Sequence, residues 1–202
     1  TYILYKLGCS DSRHWQETLY KQYLNIQDLP LSEIINKLPL LDAIIIESIR
    51  LHPPAYAQTR VAKQDLIINE KYFVPKNTVI YMLHYFALRH HKTWGASALE
   101  FNPSRHMQGD KVIPSQIVFD VFSRGPTSCL GKYFALTMIK IFLMSLLSKY
   151  HWETQTKEIH QDPRDTLYVK PNVLLTLYKR DRSPQASEKE LQENLPRLAY
   201  KS

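Results

Sequence analysis

Cys129 lies in "FSRGPTSCLG", Phe122 to Gly131, between two apolar runs. This stretch holds two of the chain's five glycines and one of its two cysteines, and it ends where a long apolar segment begins. At the start of a helix, free backbone N–H groups and the positive end of the dipole favour a thiolate. Glycines at 125 and 131 let the backbone approach a large flat partner closely. A thiolate held this way suits a soft metal ligand or a nucleophile. The third reading is a cysteine filling the core as a small hydrophobe. Nucleophilic chemistry needs a base, and His90, His91 and His106 are candidates, although sequence alone sets none of them beside Cys129.

A second constellation is ionic. Glu47 and Arg50 in "ESIR" are three residues apart, so they are neighbours on one helix face. Their surroundings, Ile44 to Ile46 and Ile49, place that face at least partly in the core. A buried pair needs further partners to offset desolvation, so a third charged residue is expected. Arg105, in "FNPSRH", is the candidate.

These residues must be positioned by a mainly α chain with small β sheets. Helices are expected over 11–25, over 31–37 and through "LPLLDAIIIESIRLHPP", the last ending at Pro53–Pro54 because the residue before proline is pushed out of helical geometry. The period then changes. "DLIINEKYFVPKNTVIYMLHY" reads as two or three short antiparallel strands, with turn signals at Asn69–Glu70 and Pro75–Asn77. "ALRHHKTWG" reads as a brief helix or turn, and residues 101–122 as an irregular segment of a length that is often functional. A long buried helix should run from Gly131 to about Tyr150, and "TLYVKPNVLLTLYKR" reads as a hairpin. From Asp181 the text is polar and charged, a flexible tail by composition. The domain reading is therefore 1–180 plus a tail over 181–202.

Composition bounds the functions. The 202 residues suffice for one domain, and 26 Lys and Arg against 19 Asp and Glu give net +7. With no block of like charges and no zinc-type Cys/His spacing, nucleic acid is not an expected partner. Two cysteines, Cys9 and Cys129, make no disulfide framework and fit a reduced, intracellular setting. No signal peptide is visible. The apolar run Tyr133–Leu147 is too short to span a membrane and is flanked by Lys132 and Lys149.

Taken in order, these motifs resemble the C-terminal half of a cytochrome P-450, a heme-thiolate monooxygenase. The loop resembles the pattern Phe-x-x-Gly-x-Arg-x-Cys-x-Gly through Phe122, Gly125, Cys129 and Gly131. "ESIR" resembles the Glu-x-x-Arg of the helix conventionally lettered K, and "FNPSRH" the Phe-x-Pro-Glu-Arg-Phe of the segment called the meander. "LHPPAYAQTR" follows helix K as it should. The likeness covers roughly residues 1–178 and implies helices J to L, the meander and the Cys loop of that fold.

The resemblance implies roles. Cys129 would be the axial thiolate of heme b (iron protoporphyrin IX), where its electron donation favours O–O cleavage. Phe122 would pack near the sulfur, and Gly125 and Gly131 would let the loop lie under the ring. Arg60 would pair with a heme propionate. Glu47, Arg50 and Arg105 would form the structural triad, and Ala55 to Gln58 would lie near the substrate side. Three positions depart from the family: Thr127 stands where a propionate-binding arginine is usual, Ser104 where Glu is usual, and His106 where Phe is common. Arg124 is the expected substitute for the missing loop cation.

The implied activity is insertion of one oxygen atom of dioxygen into a small apolar substrate, with electrons from a reductase or ferredoxin. Arg124, Lys132 and Lys140 are candidates for docking that partner. The opening "TYILYKLG" resembles only the end of the oxygen-activating helix, so the sequence reads as a piece of a larger protein. The location follows as cytoplasmic, or membrane-associated if an anchor precedes Thr1. Two alternatives stand beside this reading: a non-catalytic heme-binding fragment or interaction module, and a heme-thiolate isomerase or dehydratase.

Overall fold

A computed structural model describes residues 1–113, 116–159 and 173–180. Its centre is the helix α4, Pro39–Leu51, for which the sequence supplies both ends. Proline sits at its first position, where its missing N–H costs nothing, and the helix stops at His52, before Pro53–Pro54. Of its 13 residues, 11 are buried. A helix enclosed on all sides is a core helix, and its apolar run packs accordingly.

Around it lie α1 (Tyr2–Gly8), α2 (Arg13–Leu24), the single-turn helix α3 (Leu31–Ile34) and, later in the chain, two more single-turn helices, α5 (His84–Ala87) and α6 (His91–Trp94). His90 caps α6, its Nδ1 accepting the Lys92 N–H at 3.2 Å. The side chain of Gln16 on α2 is fully buried. It donates to the carbonyls of Leu7 (2.8 Å) and Trp152 (3.0 Å) and accepts the Trp152 N–H at 3.0 Å. One amide thus pins α1 and α2 to the strand carrying Trp152.

The β content is four two-stranded antiparallel ribbons among the described residues. β1 (Ala57–Val61) pairs with β4 (Val79–Leu83), Arg60 opposite Ile80. Nested between them is the hairpin β2 (Leu66–Ile68) and β3 (Tyr72–Val74). Three residues, Asn69 to Lys71, join its strands; Asn69 and Glu70 both have positive φ, 51° and 57°, and the Lys71 N–H closes the turn on the Ile68 carbonyl at 3.2 Å. The stretch "DLIINEKYFVPKNTVIYMLHY" supplies three strands, β2, β3 and β4, within the expected two or three, and "AYAQTR" before it supplies a further one, β1.

The segment 101–122 is more ordered than its composition suggests. It contains a 3-10 turn at Pro103–His106, the ribbon β5 (Met107–Gln108) and β6 (Lys111–Val112), the short helix α7 (Gln116–Phe119) and a second 3-10 turn at Asp120–Phe122. The long helix α8 spans Lys132–Leu147. β7 (Tyr150–Thr154) then pairs with β8 (Leu175–Lys179). The first arm of the expected hairpin over 166–180 lies outside the described residues. The second arm is β8, and its described partner is β7, which immediately follows α8. The expected tail, 181–202, also lies outside the described residues.

One expectation fails for a physical reason. α8 is not a buried helix along its length. Leu143, Met144 and Leu147 are buried, whereas Tyr133, Phe134, Met138 and Phe142 are exposed. Its last turn, through Leu143, Met144 and Leu147, packs on the core, and the turns before it present apolar side chains outward. No helix among the described residues is long and apolar enough to cross a membrane.

Candidate functional site

The Cys loop is built by a short set of backbone bonds. The Cys129 N–H donates to the Phe122 carbonyl at 2.7 Å, closing the loop at its base. Inside it, Ser128 N–H reaches the Gly125 carbonyl at 3.0 Å. Gly125 has φ +65° and needs to be glycine, since L side chains avoid that region. Gly131 has φ −82° and caps α8. A Cβ at 131 would make only an ordinary contact, 3.9 Å, with the Cys129 sulfur, so neither space nor conformation requires glycine there.

Cys129 is free and exposed, so the reading of it as a core-filling hydrophobe is corrected. No described histidine bonds to it. His106 is buried on Glu47 and His90 serves as a helix cap, which removes two of the three candidate bases for a nucleophile. Next to the thiol, Leu130 is fully exposed at 102%, and Phe134 is 72% exposed one helical turn on. Phe134 and Met138 share one stripe of α8 by their spacing of four. Phe122 is half-buried, and the Lys132 ammonium lies 4.5 Å from the Phe119 ring centre and 5.8 Å from that of Phe122.

Arg60 on β1 reaches across to this loop. Its guanidinium donates to the Ser123 hydroxyl, to the Thr127 hydroxyl at 3.0 Å and to the Thr59 carbonyl at 2.8 Å. Gln58 on the same strand donates to the Val121 carbonyl at 2.8 Å. β1 therefore fixes the loop's entry through two side chains. Arg124, in contrast, turns to Asp120, with Nε and a terminal nitrogen on the two carboxylate oxygens at 2.5 and 2.8 Å. Lys140 is bound to Asp42 at 2.7 Å and largely covered, so it is not free to dock a partner.

Away from the loop, Glu47 is fully buried and accepts five hydrogen bonds. Arg50 supplies two (2.7 and 2.9 Å), Arg105 Nε one (2.9 Å), the Asn102 backbone one (2.9 Å) and His106 Nε2 one (2.7 Å). Arg50 also donates to the carbonyls of Leu88, Ala98 and Glu100. Burial by itself would raise the Glu47 carboxyl, but the bonds from Arg50 and His106 and the charge of Arg50 bring it down to about 2. The sequence brought out Glu47, Arg50 and Arg105. It marked His106 as a candidate base and as a departure from the family pattern, and a polar residue in a place suited to Phe was the available signal that this position does something different.

A third feature is an open cavity of ≈ 620 Å³ lined by Tyr2, Ile49, His52, Pro53, Met138 and Phe142, among others. His52 stacks on Tyr2, with ring centres 3.9 Å apart. Burial, followed by the charges of Arg89 and Lys6, pushes the His52 imidazolium down to about 4.

The elements and this loop define a class: a helical chain that offers one exposed loop thiol at a helix start, backed by a strand arginine and a buried carboxylate knot. The family model for cytochrome P450 matches residues 9–177, and the chain belongs to the cytochrome P450 family. It is 34% identical over 166 residues to a cytokinin hydroxylase of Arabidopsis thaliana, covering 80% of this chain and 31% of that protein. Secologanin synthase 1 of Catharanthus roseus is 30% identical over 165 residues, covering 79% and 31%. Cytochrome P450 52-M1 of Starmerella bombicola is 34% identical over 146 residues, covering 67% and 26%. The chain thus spans about a third of the length of the curated relatives it matches.

The family implies a heme, and the donor chemistry of this chain fits one. No group of three or more His, Cys, Asp or Glu among the described residues is placed to hold a metal ion. A single soft thiol amid exposed apolar side chains suits a metal that arrives with its other donors in a flat apolar ring. The nearby guanidinium suits that ring's carboxylates.

Proposed function

We propose that this chain is the heme-binding C-terminal part of a heme-thiolate monooxygenase, in which Cys129 would hold the heme iron through its thiolate. The observation that carries the reading is the exposed, uncommitted Cys129 thiol, presented by a closed loop at the start of α8 and flanked by the exposed Leu130 and Phe134. When bound, the heme supplies activation of dioxygen by iron under electron donation from the thiolate. The chain's own residues bind and orient. Phe122 and the Gly125 turn shape the surface beside the sulfur. The Cys129 N–H, donated to the Phe122 carbonyl, fixes the direction of the Cα–Cβ bond. Arg60 offers a cation for a carboxylate. The knot at Glu47 holds α4 to the segment around Pro103–His106.

In the intact protein the reaction is insertion of one oxygen atom into a small apolar substrate, with electrons delivered singly by a redox protein. The names of the relatives, a hydroxylase and a synthase, support oxidative chemistry without fixing a substrate. Of the three cations considered for docking the electron donor, Lys132 keeps no carboxylate partner among the described residues, whereas Arg124 and Lys140 do.

The test is a carbon-monoxide difference spectrum of the reduced, heme-reconstituted chain. The expected result is the strongly red-shifted Soret band of thiolate ligation, lost in Cys129→Ala. A spectrum unchanged by that substitution overturns the assignment.

A further inference from the structure

Lys132 is the first residue of α8 and follows directly on the Cys loop. A cation at this end of a helix faces the positive pole of the dipole, which favours anions, and the first turn of α8 holds no acidic residue to offset it. Asp120, the acid just before the loop, is taken by Arg124. Lys132 is nevertheless half-buried, and the groups around its ammonium are aromatic. The nitrogen lies 4.5 Å from the ring centre of Phe119, 5.8 Å from that of Phe122 and 5.6 Å from that of Tyr133. All three are within the distance at which a ring face attracts a cation. Phe119 and Phe122 stand at the entry to the loop, and Lys132 and Tyr133 stand at its exit, so these contacts join its two ends.

The backbone completes a circuit. The Cys129 N–H donates to the Phe122 carbonyl at 2.7 Å, and the Cys129 carbonyl accepts the Lys132 N–H at 3.3 Å. The Lys132 ammonium then returns to the Phe122 ring. Cys129 is therefore tied on both sides to residues that the cation ties to each other. We infer that Lys132 is a positioning residue for Cys129: its ammonium, caged by three rings, clamps the two ends of the Cys loop together and steadies the backbone that carries the thiol. A cation without a carboxylate partner is thus committed rather than free. What the thiol binds rests on the heme-thiolate reading above, whereas the clamp belongs to the chain alone.

The experiment follows amide exchange of the 122–131 segment in the full chain by mass spectrometry, with the urea midpoint as control. The Ser128 and Cys129 amides are bonded within this segment, so their exchange reports its opening. Lys132→Gln removes the charge and keeps a good helix former. It should speed their exchange about three- to tenfold, as loss of a partly buried cation–π contact gives, and Lys132→Arg should restore the wild-type rate. Without a clamp the sign reverses, since removing a cation from this pole of the dipole steadies α8. In a Phe119→Leu background Lys132→Gln should do less, about twofold or under, because its nearest ring is gone; the Lys132 variants carry the test should Phe119→Leu not fold. After reconstitution with iron protoporphyrin IX, Lys132→Gln should show a smaller share of the red-shifted Soret band in the reduced carbon-monoxide spectrum, and Lys132→Arg the wild-type share. Exchange unchanged or slower in Lys132→Gln, or a fall in urea midpoint large enough to account for faster exchange, overturns the clamp and leaves the Cys129 assignment standing. Faster exchange at an unchanged midpoint, in a chain whose wild type shows no thiolate band, upholds the clamp and overturns the heme-thiolate reading.

Discussion

The Glu47 knot allows a worked perturbation, Glu47→Gln. The carboxylate receives three hydrogen bonds on Oε1 and two on Oε2. A glutamine amide must place its NH₂ on one side. The gentler choice is the Oε2 side, where it meets the Arg50 Nε–H and the His106 ring, donor against donor. Two bonds are lost there. Arg50, fully buried, and Arg105, nearly so, also lose their shared counter-charge. Removing one partner of a buried charged pair costs about 3–5 kcal/mol, and the two misplaced donors raise this to roughly 4–6 kcal/mol. Domain stability is about 5–15 kcal/mol, so most of the margin goes. With a urea slope of about 2–3 kcal/mol/M for a chain of this size, the midpoint followed by far-UV circular dichroism should fall by about 2 M. The acid limb gives an internal control. Because folding lowers the Glu47 carboxyl from 4.5 to about 2, its contribution is complete above pH 4.5 and is lost as pH falls toward 2. That part of the acid slope should vanish in Glu47→Gln. A midpoint shift below about 0.4 M, or about 1 kcal/mol by the same slope, with the acid limb intact, would refute the reasoning.

Two further predictions concern the core. His52 is held neutral by burial, so the fold gains from it above pH 6.5 and loses that gain as pH falls toward 4. Unfolding free energies from urea titrations at pH 7 and pH 5 should differ by roughly 1–2 kcal/mol more in the wild type than in His52→Phe, and equal differences would remove His52 from the account. Gln16→Leu keeps the volume of the side chain but orphans the Leu7 and Trp152 carbonyls and the Trp152 N–H, at a cost of about 3 kcal/mol or more; a thermal melting temperature within 2–3 °C of wild type, on the ordinary scale of about 2–4 °C per kcal/mol for chains of this size, would contradict it.

How far the sequence revealed these features depended on how local they are. α4 was legible because Pro39, the isoleucine run and Pro53–Pro54 mark its start, its burial and its end within one short stretch. The motif residues Cys129, Glu47 and Arg105 were legible by their types and order. The seat of Arg60 was not, since hydroxyls at 123 and 127 carry no signal of a guanidinium more than sixty residues earlier in the chain. β7 was missed for a similar reason. Its partner β8 lies more than twenty residues on, and "YHWET" reads as the frayed end of α8 until the pairing is known. Exposure of the earlier turns of α8 was illegible in principle, because an apolar run states what a helix can bury and not what is there to cover it. Burial of His106 came from the demand of Glu47 for donors, a requirement that belongs to the folded knot rather than to the local text.

The two-stranded ribbons have a kinetic consequence. Each described strand has one hydrogen-bonded side and one open side, so no amide in a ribbon is protected by a sheet on both flanks. A ribbon of this kind persists through what it rests on. The β2–β3 hairpin, with Ile67, Tyr72 and Phe73 exposed, rests on little and should open by itself without disturbing the helices. β7 is anchored by Trp152 and Gln16 and should open only with α1 and α2. Amide exchange should therefore proceed in an order, the 66–74 hairpin first, the β1–β4 ribbon next and α4 last. The strand that carries Arg60 belongs to the middle group. Positioning of Arg60 over the Cys loop would then fluctuate on a faster timescale than global unfolding, with the Glu47 knot as the slow frame against which it moves.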